Sequence, residues 1–435
     1  MAREKTGSNL HQPLSRRRVG TETFLALVEV VLVLAAGGLL LALVRHLATT
    51  GPVVMGDDIA YYRAVAQKIV AGQLPYRDFP FEYPVLALVP LVLAGVASSF
   101  EAYAWALAGL NALFLAVSAA LLWFIARSGY SSRSPIRTAG VFVLLVAATP
   151  VVLFRLDALA SLLTLAAFAA LIARRNALSG VALALSALVK LYAVVLVPLF
   201  AWREFAAGRR RGAVLVLVAA IASAVVVSAT LFALTGASGL EFIGYQTNRG
   251  VQVESVVGSL VLLGHALAGV PVQLSVDYFS WQVASPLVDA LGWTFVVLPV
   301  AMGALLAVSA YSSLRWSSPG MDAQLFVELI SAALLLFMLA YRVLSPQYLA
   351  WLLPFAALLT RGKLALVLAA CVLTSYIFPL AYQELLALDP GLIIALAMRN
   401  ILLLGLFAWL VAPGLRICLG RAIRPGRTHL SPVVQ

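Results

Sequence analysis

The sequence predicts an all-α polytopic membrane protein, and three observations predict it. Hydrophobic residues fill 63% of the 435 positions, charged residues only 11%, and the mean hydropathy is +1.00. A soluble globular chain is nearer half apolar and a quarter charged. Too few charges are present to clothe a soluble surface, so most of the outer surface must face lipid. Apolar runs of bilayer-spanning length recur from residue 24 to residue 412. Basic residues gather at the borders of those runs. Arg3, Lys5, Arg16, Arg17 and Arg18 precede the first, and Arg416, Arg421, Arg424 and Arg427 flank the end of the last. That distribution predicts cytoplasmic termini and a plasma (inner) membrane location. It also excludes nucleic acid as the reason for the formal net charge of +12.

In order along the chain, residues 1–23 form a basic tail and 24–412 a transmembrane region. Residues 413–435 form a second basic tail. Spans are expected near 24–44, 101–126, 138–153, 157–173, 177–201, 213–235, 288–311, 323–341, 347–360, 363–381 and 391–412. With the short run 84–97 this makes a bundle of roughly twelve segments. The run 24–44 is long for a signal-peptide core and reads as an anchor. Alternation of sides leaves two long outer loops, 45–83 and 236–286, and long loops in a bundle tend to carry function. One region resists the alternation. Arg127, Arg133 and Arg137 favour the cytoplasm, so either 84–97 does not cross or another segment bends back. Cys371 and Cys418 lie in or beside apolar segments and read as small hydrophobes. No fixed-period repeat and no separate soluble domain is visible.

The first outer loop is the most informative stretch. Asp57 or Asp58 is a natural N-cap, and Ile59, Tyr62, Val65, Ala66 and Ile69 then share one helical face. Gly72 stops the helix. Such an amphipathic helix is expected to lie flat at the membrane surface. Pro75, Pro80 and Pro84 keep the following chain extended. There Tyr76, Phe79, Phe81 and Tyr83 interleave with Arg77, Asp78 and Glu82. That strip suits a saccharide or a lipid-phosphate headgroup, or else it is an interfacial aromatic belt. The acidic pair offers a carboxylate that could take a proton from a hydroxyl, or simply a helix cap.

These residues also carry a resemblance. Asp58-Ile59-x-Tyr61, Gly72-x-x-Pro75-Tyr76-x-Asp78 and Glu82-Tyr83-Pro84 resemble the first-loop signature of glycosyltransferase family 87, within the C-type superfamily. Lys190-Leu191-Tyr192, Arg249 to Ser255, and Ser345-Pro346-Gln347-Tyr348 with Trp351 resemble later blocks. Val85 departs from the pattern, since relatives commonly have a second proline there. The resemblance implies the C-type helical bundle with amphipathic helices in its outer loops. It also implies a donor that is a polyprenyl-phosphate sugar, with mannose the first guess. Asp58 would be the catalytic base, with Asp57 its neighbour. Tyr61, Tyr76, Glu82, Tyr83, Gln252, Glu254, Gln347 and Tyr348 fall within or beside these motifs and become expected substrate contacts.

A lipid phosphate needs fixed positive charge. If 245–256 is helical, Arg249 is not neutralised within its own helix and is free to reach an outside anion; otherwise it is a snorkelling surface arginine. Lys190 lies in an apolar segment, where a charge costs roughly 2.5–3.5 kcal/mol, and faces either a polar cavity or a structural partner in Asp157. Arg342 at a helix end is a third phosphate candidate or an ordinary border arginine. His265 reads as structural. The four histidines show no ligand spacing, so no metal is assigned, although a divalent ion held by Asp58 and Asp157 stays open. The resulting expectation is an inverting hexosyltransferase acting on a lipid-linked or cell-envelope glycan at the outer face of the bilayer. The rival is a transporter or flippase of lipid-linked or anionic substrates, weakened by the lack of an internal repeat.

Overall fold

The computed structural model describes residues 56–316 and 322–422. The expected span 24–44, the tail 1–23, the start of the first loop and residues 423–435 lie outside the described residues. The chain is predominantly helical, and six helices among the described residues are long and apolar enough to cross a membrane. They are Phe100–Tyr130, Arg210–Tyr245, Thr294–Trp316, Ala323–Ala340, Arg361–Leu380 and Pro390–Gly420.

The elements follow in order. Helix α1 spans Gly56–Val70, α2 Leu88–Ala94, α3 Phe100–Ile125 and α4 Pro135–Ala147. Then come α5 (Asp157–Ile172), α6 (Asn176–Val189), α7 (Leu196–Ala206), α8 (Arg210–Thr235), α9 (Glu241–Thr247) and α10 (Val256–Ala268). A hairpin of β1 (Gln273–Asp277) and β2 (Ser280–Ala284) interrupts the helices. The chain continues through α11 (Pro286–Ala290), α12 (Thr294–Trp316), α13 (Asp322–Ala340), α14 (Leu349–Ala356), α15 (Arg361–Ser375), α16 (Tyr382–Leu386) and α17 (Pro390–Ala422). Two expected spans are broken differently from the hydropathy pattern. The run 177–201 splits at Lys190, which is extended, into α6, a 3-10 turn and α7. The last helix runs through Pro413 to Ala422, so 413–422 continues the bundle instead of starting a tail.

The bundle has a central layer and a lipid-like exterior. Helix α13 and α14 are nearly all buried, with Phe326, Ile330, Leu334, Leu352 and Phe355 at 0% exposure, in one cluster with Phe168 of α5 and Phe200 of α7. By contrast α8 and α12 turn Val218, Ile221, Val225, Val226, Val296 and Val300 outward. A helix apolar on its outer face needs an apolar solvent there.

Two ends of the bundle differ in charge. At one end Arg133 donates to Ala357 O and Leu359 O, Arg203 donates to the Tyr130 hydroxyl, and Lys363 pairs with Glu328 at 2.6 Å. Arg174 and Arg209 pair there with the buried Glu204. The opposite end holds α1, the turn before α5, the segment after α6, the hairpin and the turn before α14. Arg63 of α1 donates to Ser98 O at 2.9 Å, so the chain is at that same end both before and after 84–97. The short α2 therefore turns back without passing through the bundle. That resolves the difficulty with Arg127, Arg133 and Arg137, which fall at the basic end.

The first-loop helix forms as expected, and Gly72 ends it in the left-handed region (φ +85) with its N–H bonded to Ile69 O at 2.9 Å. Asp57 and Asp58 sit inside its first turn, since the helix begins at Gly56, and so are not its caps. Its apolar face is buried against protein instead of lying on lipid: Ile59, Tyr62, Val65 and Ala66 join Leu91, Tyr103 and Leu107 in one cluster.

The hairpin departs from the expected all-helical chain. β1 pairs antiparallel with β2, Gln273 opposite Ala284 and Asp277 opposite Ser280. Its two-residue turn is Tyr278-Phe279, both at positive φ (50° and 52°). Such turns ordinarily use Asn, Asp or Gly, so the sequence carried no turn signal. Val251 and Val253 bond β2 through Val283 N–H to Val251 O (2.8 Å) and Val253 N–H to Trp281 O (3.0 Å). Residues 248–255 are thus not helical, and the helical premise used for Arg249 does not hold.

Candidate functional site

The end away from the basic cluster contains a cavity of about 930 Å³. Its wall is assembled from distant pieces of chain: the first turn of α1, Glu82 to Pro84, Arg155, Lys190 to Tyr192, Arg249 with Gln252 and Glu254, the hairpin tip, Tyr341, Ser345 to Tyr348 with Trp351, and the turn around Phe378 and Tyr382.

Asp58 is held here by Arg155, which belongs to none of the motifs singled out in the sequence. Arg155 lies between a 3-10 turn (Pro150–Phe154) and α5, and its Nη1 is 2.6 Å from Asp58 Oδ2. The Arg155 side chain is 5% exposed and that of Asp58 33%, so the pair is anchored from inside and open toward the cavity. Asn111 of α3 fixes the backbone below by donating to Leu153 O and Arg155 O, at 2.9 and 2.8 Å. Asp58 Oδ1 has no partner among the described residues. The signal for Arg155 was present in the sequence: an isolated Arg155-Leu156-Asp157 in a long apolar stretch, where charges mark function or pairing.

Lys190 meets both expectations held for it. Its Nζ is 3.7 Å from Asp157 Oδ1 and also lies over the Tyr83 ring (4.6 Å) and the Tyr348 ring (5.5 Å). The kink after α6 turns it into the cavity. Asp157 is further bound by Trp351 Nε1 at 2.7 Å, while its Oδ2 is buried without a hydrogen-bond partner. Trp351 stacks between Tyr192 and Tyr348, at 4.2 Å to each ring centroid. This ladder of rings forms one wall.

Arg249 lines the cavity despite the lack of a helix, and its Nη2 donates to Tyr278 O at 3.3 Å. Glu82 is buried and lines the same cavity. Burial pushes the Glu82 carboxyl above its usual range, while hydrogen bonds and the charges of Arg249 and Lys190 act the other way. Glu254, 1% exposed, also lines the cavity, and its carboxyl is pushed up to about 7 by burial, against the pull of Arg399 and Arg155.

The structure brings Asp57, Asp58, Glu82, Tyr83, Lys190, Arg249, Gln252, Glu254, Gln347 and Tyr348 to this one cavity. Gln252, however, spends its amide on the scaffold: Oε1 accepts from Leu344 N–H at 2.8 Å and Nε2 donates to Ser345 Oγ at 3.4 Å. Three expected residues lie elsewhere. Tyr76 is 4% exposed and donates its hydroxyl to Tyr83 O at 2.6 Å, a packing role. Phe79 and Phe81 are buried beside it, so of the aromatic strip only Tyr83 reaches the cavity. Tyr61 lies against the hairpin tip, 4.9 Å from the Phe279 ring. Arg342 faces a different cavity, of about 860 Å³, on the other side of the hairpin, and stands over Phe295 at 4.7 Å. It is separated from Arg249 because the extended strand 250–253 runs between the two cavities.

Among the described residues no three His, Cys, Asp or Glu side chains gather with metal-ligand geometry. Chemically, the cavity offers the Asp58 carboxylate, held from inside by Arg155, the cations Lys190 and Arg249, and a wall of rings. Known protein-family models and curated proteins give no match to the chain.

Proposed function

We propose that this chain is a membrane glycosyltransferase. It moves a hexose, mannose being the first guess from the family 87 resemblance, from a polyprenyl-phosphate sugar to a hydroxyl of a lipid-linked or cell-envelope glycan. The observation that carries the reading is Asp58, ion-paired through Oδ2 to the buried Arg155, at a cavity that also holds Lys190 and Arg249.

The reaction assigns each group a task. Asp58 Oδ1 takes the proton of the acceptor hydroxyl as that oxygen attacks the anomeric carbon. The bond from that carbon to the phosphate oxygen breaks, and its electron pair leaves with the polyprenyl phosphate. Lys190 and Arg249 balance the charge that gathers there. A single displacement inverts the anomeric centre. Arg155 fixes the orientation of the carboxylate, and the ring wall of Tyr348, Trp351 and Tyr192 accommodates sugar faces or the start of the lipid. The end opposite the site carries Arg127, Arg133, Arg174, Arg209 and Arg361, and the positive-inside rule then directs the cavity outward.

The test is turnover. Purified protein receives radiolabelled polyprenyl-phosphate hexose and membrane-lipid acceptors, beside Asp58→Asn. The reading expects transfer by the parent and a loss of about 10²- to 10⁴-fold in the variant with folding intact. Equal turnover removes Asp58 from the mechanism. Absence of transfer with every donor, together with uptake of lipid-linked sugar into vesicles, favours a transporter, which the buried Lys190–Asp157 pair would also suit.

A further inference from the structure

The second cavity, of about 860 Å³, holds the arginine that the main site leaves out. The hairpin divides the two cavities. Side chains alternate sides along a strand. Here Val276 and Trp281 line the first cavity, whereas Gln273 and Ser275 of β1 and Gln282 and Ala284 of β2 line the second. In the register Gln273 stands opposite Ala284 and Ser275 opposite Gln282, so these four share one face. The backbone that carries Arg342 is pinned. Its carbonyl accepts from Gln252 N–H at 3.0 Å, and Leu344 N–H donates to Gln252 Oε1 at 2.8 Å.

The charged residues lining this cavity are Arg342 and Asp289 of α11. Both are exposed, and among the described residues they form no ion pair, either with each other or elsewhere. The Arg342 guanidinium rests over the Phe295 ring at 4.7 Å. Opposite charges that share a cavity without meeting suit a ligand carrying both signs, since a bare anion would face Asp289 and a bare cation Arg342. The neighbourhood says what kind of ligand. Phe295 lies in the first turn of α12, a helix of membrane-spanning length, and Gly292 just before that helix also lines the cavity. Between and beyond them Trp293, Val296, Val297 and Val300 are exposed, at the i, i+3, i+4, i+7 spacing of one helical face. An exposed apolar stripe headed by a tryptophan marks a border with lipid. The polar cavity and the lipid face therefore meet at one point of the chain, as a headgroup meets its tails.

We propose that this cavity binds the headgroup of a primary-amine phospholipid of the phosphatidylethanolamine kind. The phosphate accepts hydrogen bonds from Arg342, and the ammonium donates to the Asp289 carboxylate. Gln273 and Ser275 meet the remaining oxygens, and the acyl chains run along the stripe of Trp293, Val296 and Val300. The site is separate from the one proposed for glycosyl transfer and does not depend on it.

Binding is measured by calorimetry on the protein in maltoside micelles. The probes are dihexanoyl-phosphatidylethanolamine, the matching glycerol and choline lipids, and O-phosphoethanolamine as the headgroup without tails. The parent should bind the ethanolamine lipid about fivefold more tightly than either other lipid, a factor that fits charges open to water. Phosphoethanolamine alone should bind more weakly than its lipid. Arg342→Gln should weaken the ethanolamine and glycerol lipids alike, by about fivefold. Asp289→Asn should erase the preference for ethanolamine and leave the glycerol lipid unchanged or tighter. Equal binding of the three lipids by the parent, a preference that survives Asp289→Asn, or unchanged binding in Arg342→Gln overturns the proposal. Phosphoethanolamine bound as tightly as its lipid would make this a site for a free zwitterion and overturn the assignment to a lipid. The ranking of the three lipids on the parent decides the matter even where a variant fails to fold. No sugar donor is present in these measurements, so a negative result leaves the glycosyltransferase reading standing, and a failure of transfer leaves this site standing.

Discussion

Arg155→Met isolates the group that orients the proposed base. The substitution removes a guanidinium whose Nη1 lies 2.6 Å from Asp58 Oδ2 and keeps a side chain of similar length. Breaking a fully buried ion pair costs about 3–5 kcal/mol. Here Asp58 is 33% exposed, so water takes over much of the solvation and about 1–2 kcal/mol of stability loss is expected. The effect on rate should be larger. A reacting group displaced by about 1 Å loses on the order of 10² in rate, and the carboxylate has no other fixed partner among the described residues. We therefore expect kcat to fall about 10²-fold while donor KM changes less than about threefold, because Lys190 and Arg249 are untouched. The assay is a double-mutant cycle with Asp58→Asn. If Arg155 acts only through Asp58, its removal in the Asp58→Asn background should cost under about threefold. Multiplicative losses in the double variant would refute the reasoning and assign Arg155 an independent contact with substrate.

Three further outcomes follow from packing and charge. Lys190→Met leaves Asp157 buried at 1% exposure with its cation gone, and should lower stability by about 3–5 kcal/mol, read by denaturation in micelles; Lys190→Met with Asp157→Asn should recover part of it. Glu254 goes from an ordinary 4.5 to about 7 in the folded chain. The folded state then holds a proton that the unfolded state releases, so stability is full below pH 4.5 and declines as pH rises toward 7, by about 3 kcal/mol in total. Arg399, Arg155, Tyr382 and Asp58 face or share its surroundings, and Glu254→Gln should flatten the melting temperature against pH over that window. Gly180→Ala should lower the melting temperature, because a Cβ on α6 would collide with the Val216 carbonyl on α8, and backbone cannot yield as a side chain does. Overpacking of this kind costs about 1–3 kcal/mol.

The parts of the molecule that were legible in advance are those set by local pattern. Hydropathy located most long helices within a few residues, because a segment facing lipid must be apolar along its whole length. The spacing of Ile59, Tyr62, Val65 and Ala66 gave α1 and its buried face, and Gly72 gave its end. Short motifs drew attention to Asp58, Lys190, Arg249 and Tyr348, which share one cavity. The strand pairing of β1 and β2 was not legible, since Tyr278-Phe279 is held in a left-handed turn by its surroundings and not by its own preference.

Partnership was the other thing hidden. Arg63 reaching Ser98 shows that 84–97 starts and ends at one end of the bundle, and an extended segment between the two cavities keeps Arg342 from Arg249. Arg155 and Asp58 are 97 residues apart in the chain, yet they form the ion pair on which the site turns. Composition and periodicity fix which surfaces avoid water, because that preference belongs to each residue and its near neighbours. Which carboxylate meets which cation depends on helices packing from opposite ends of the chain, and no local pattern records that.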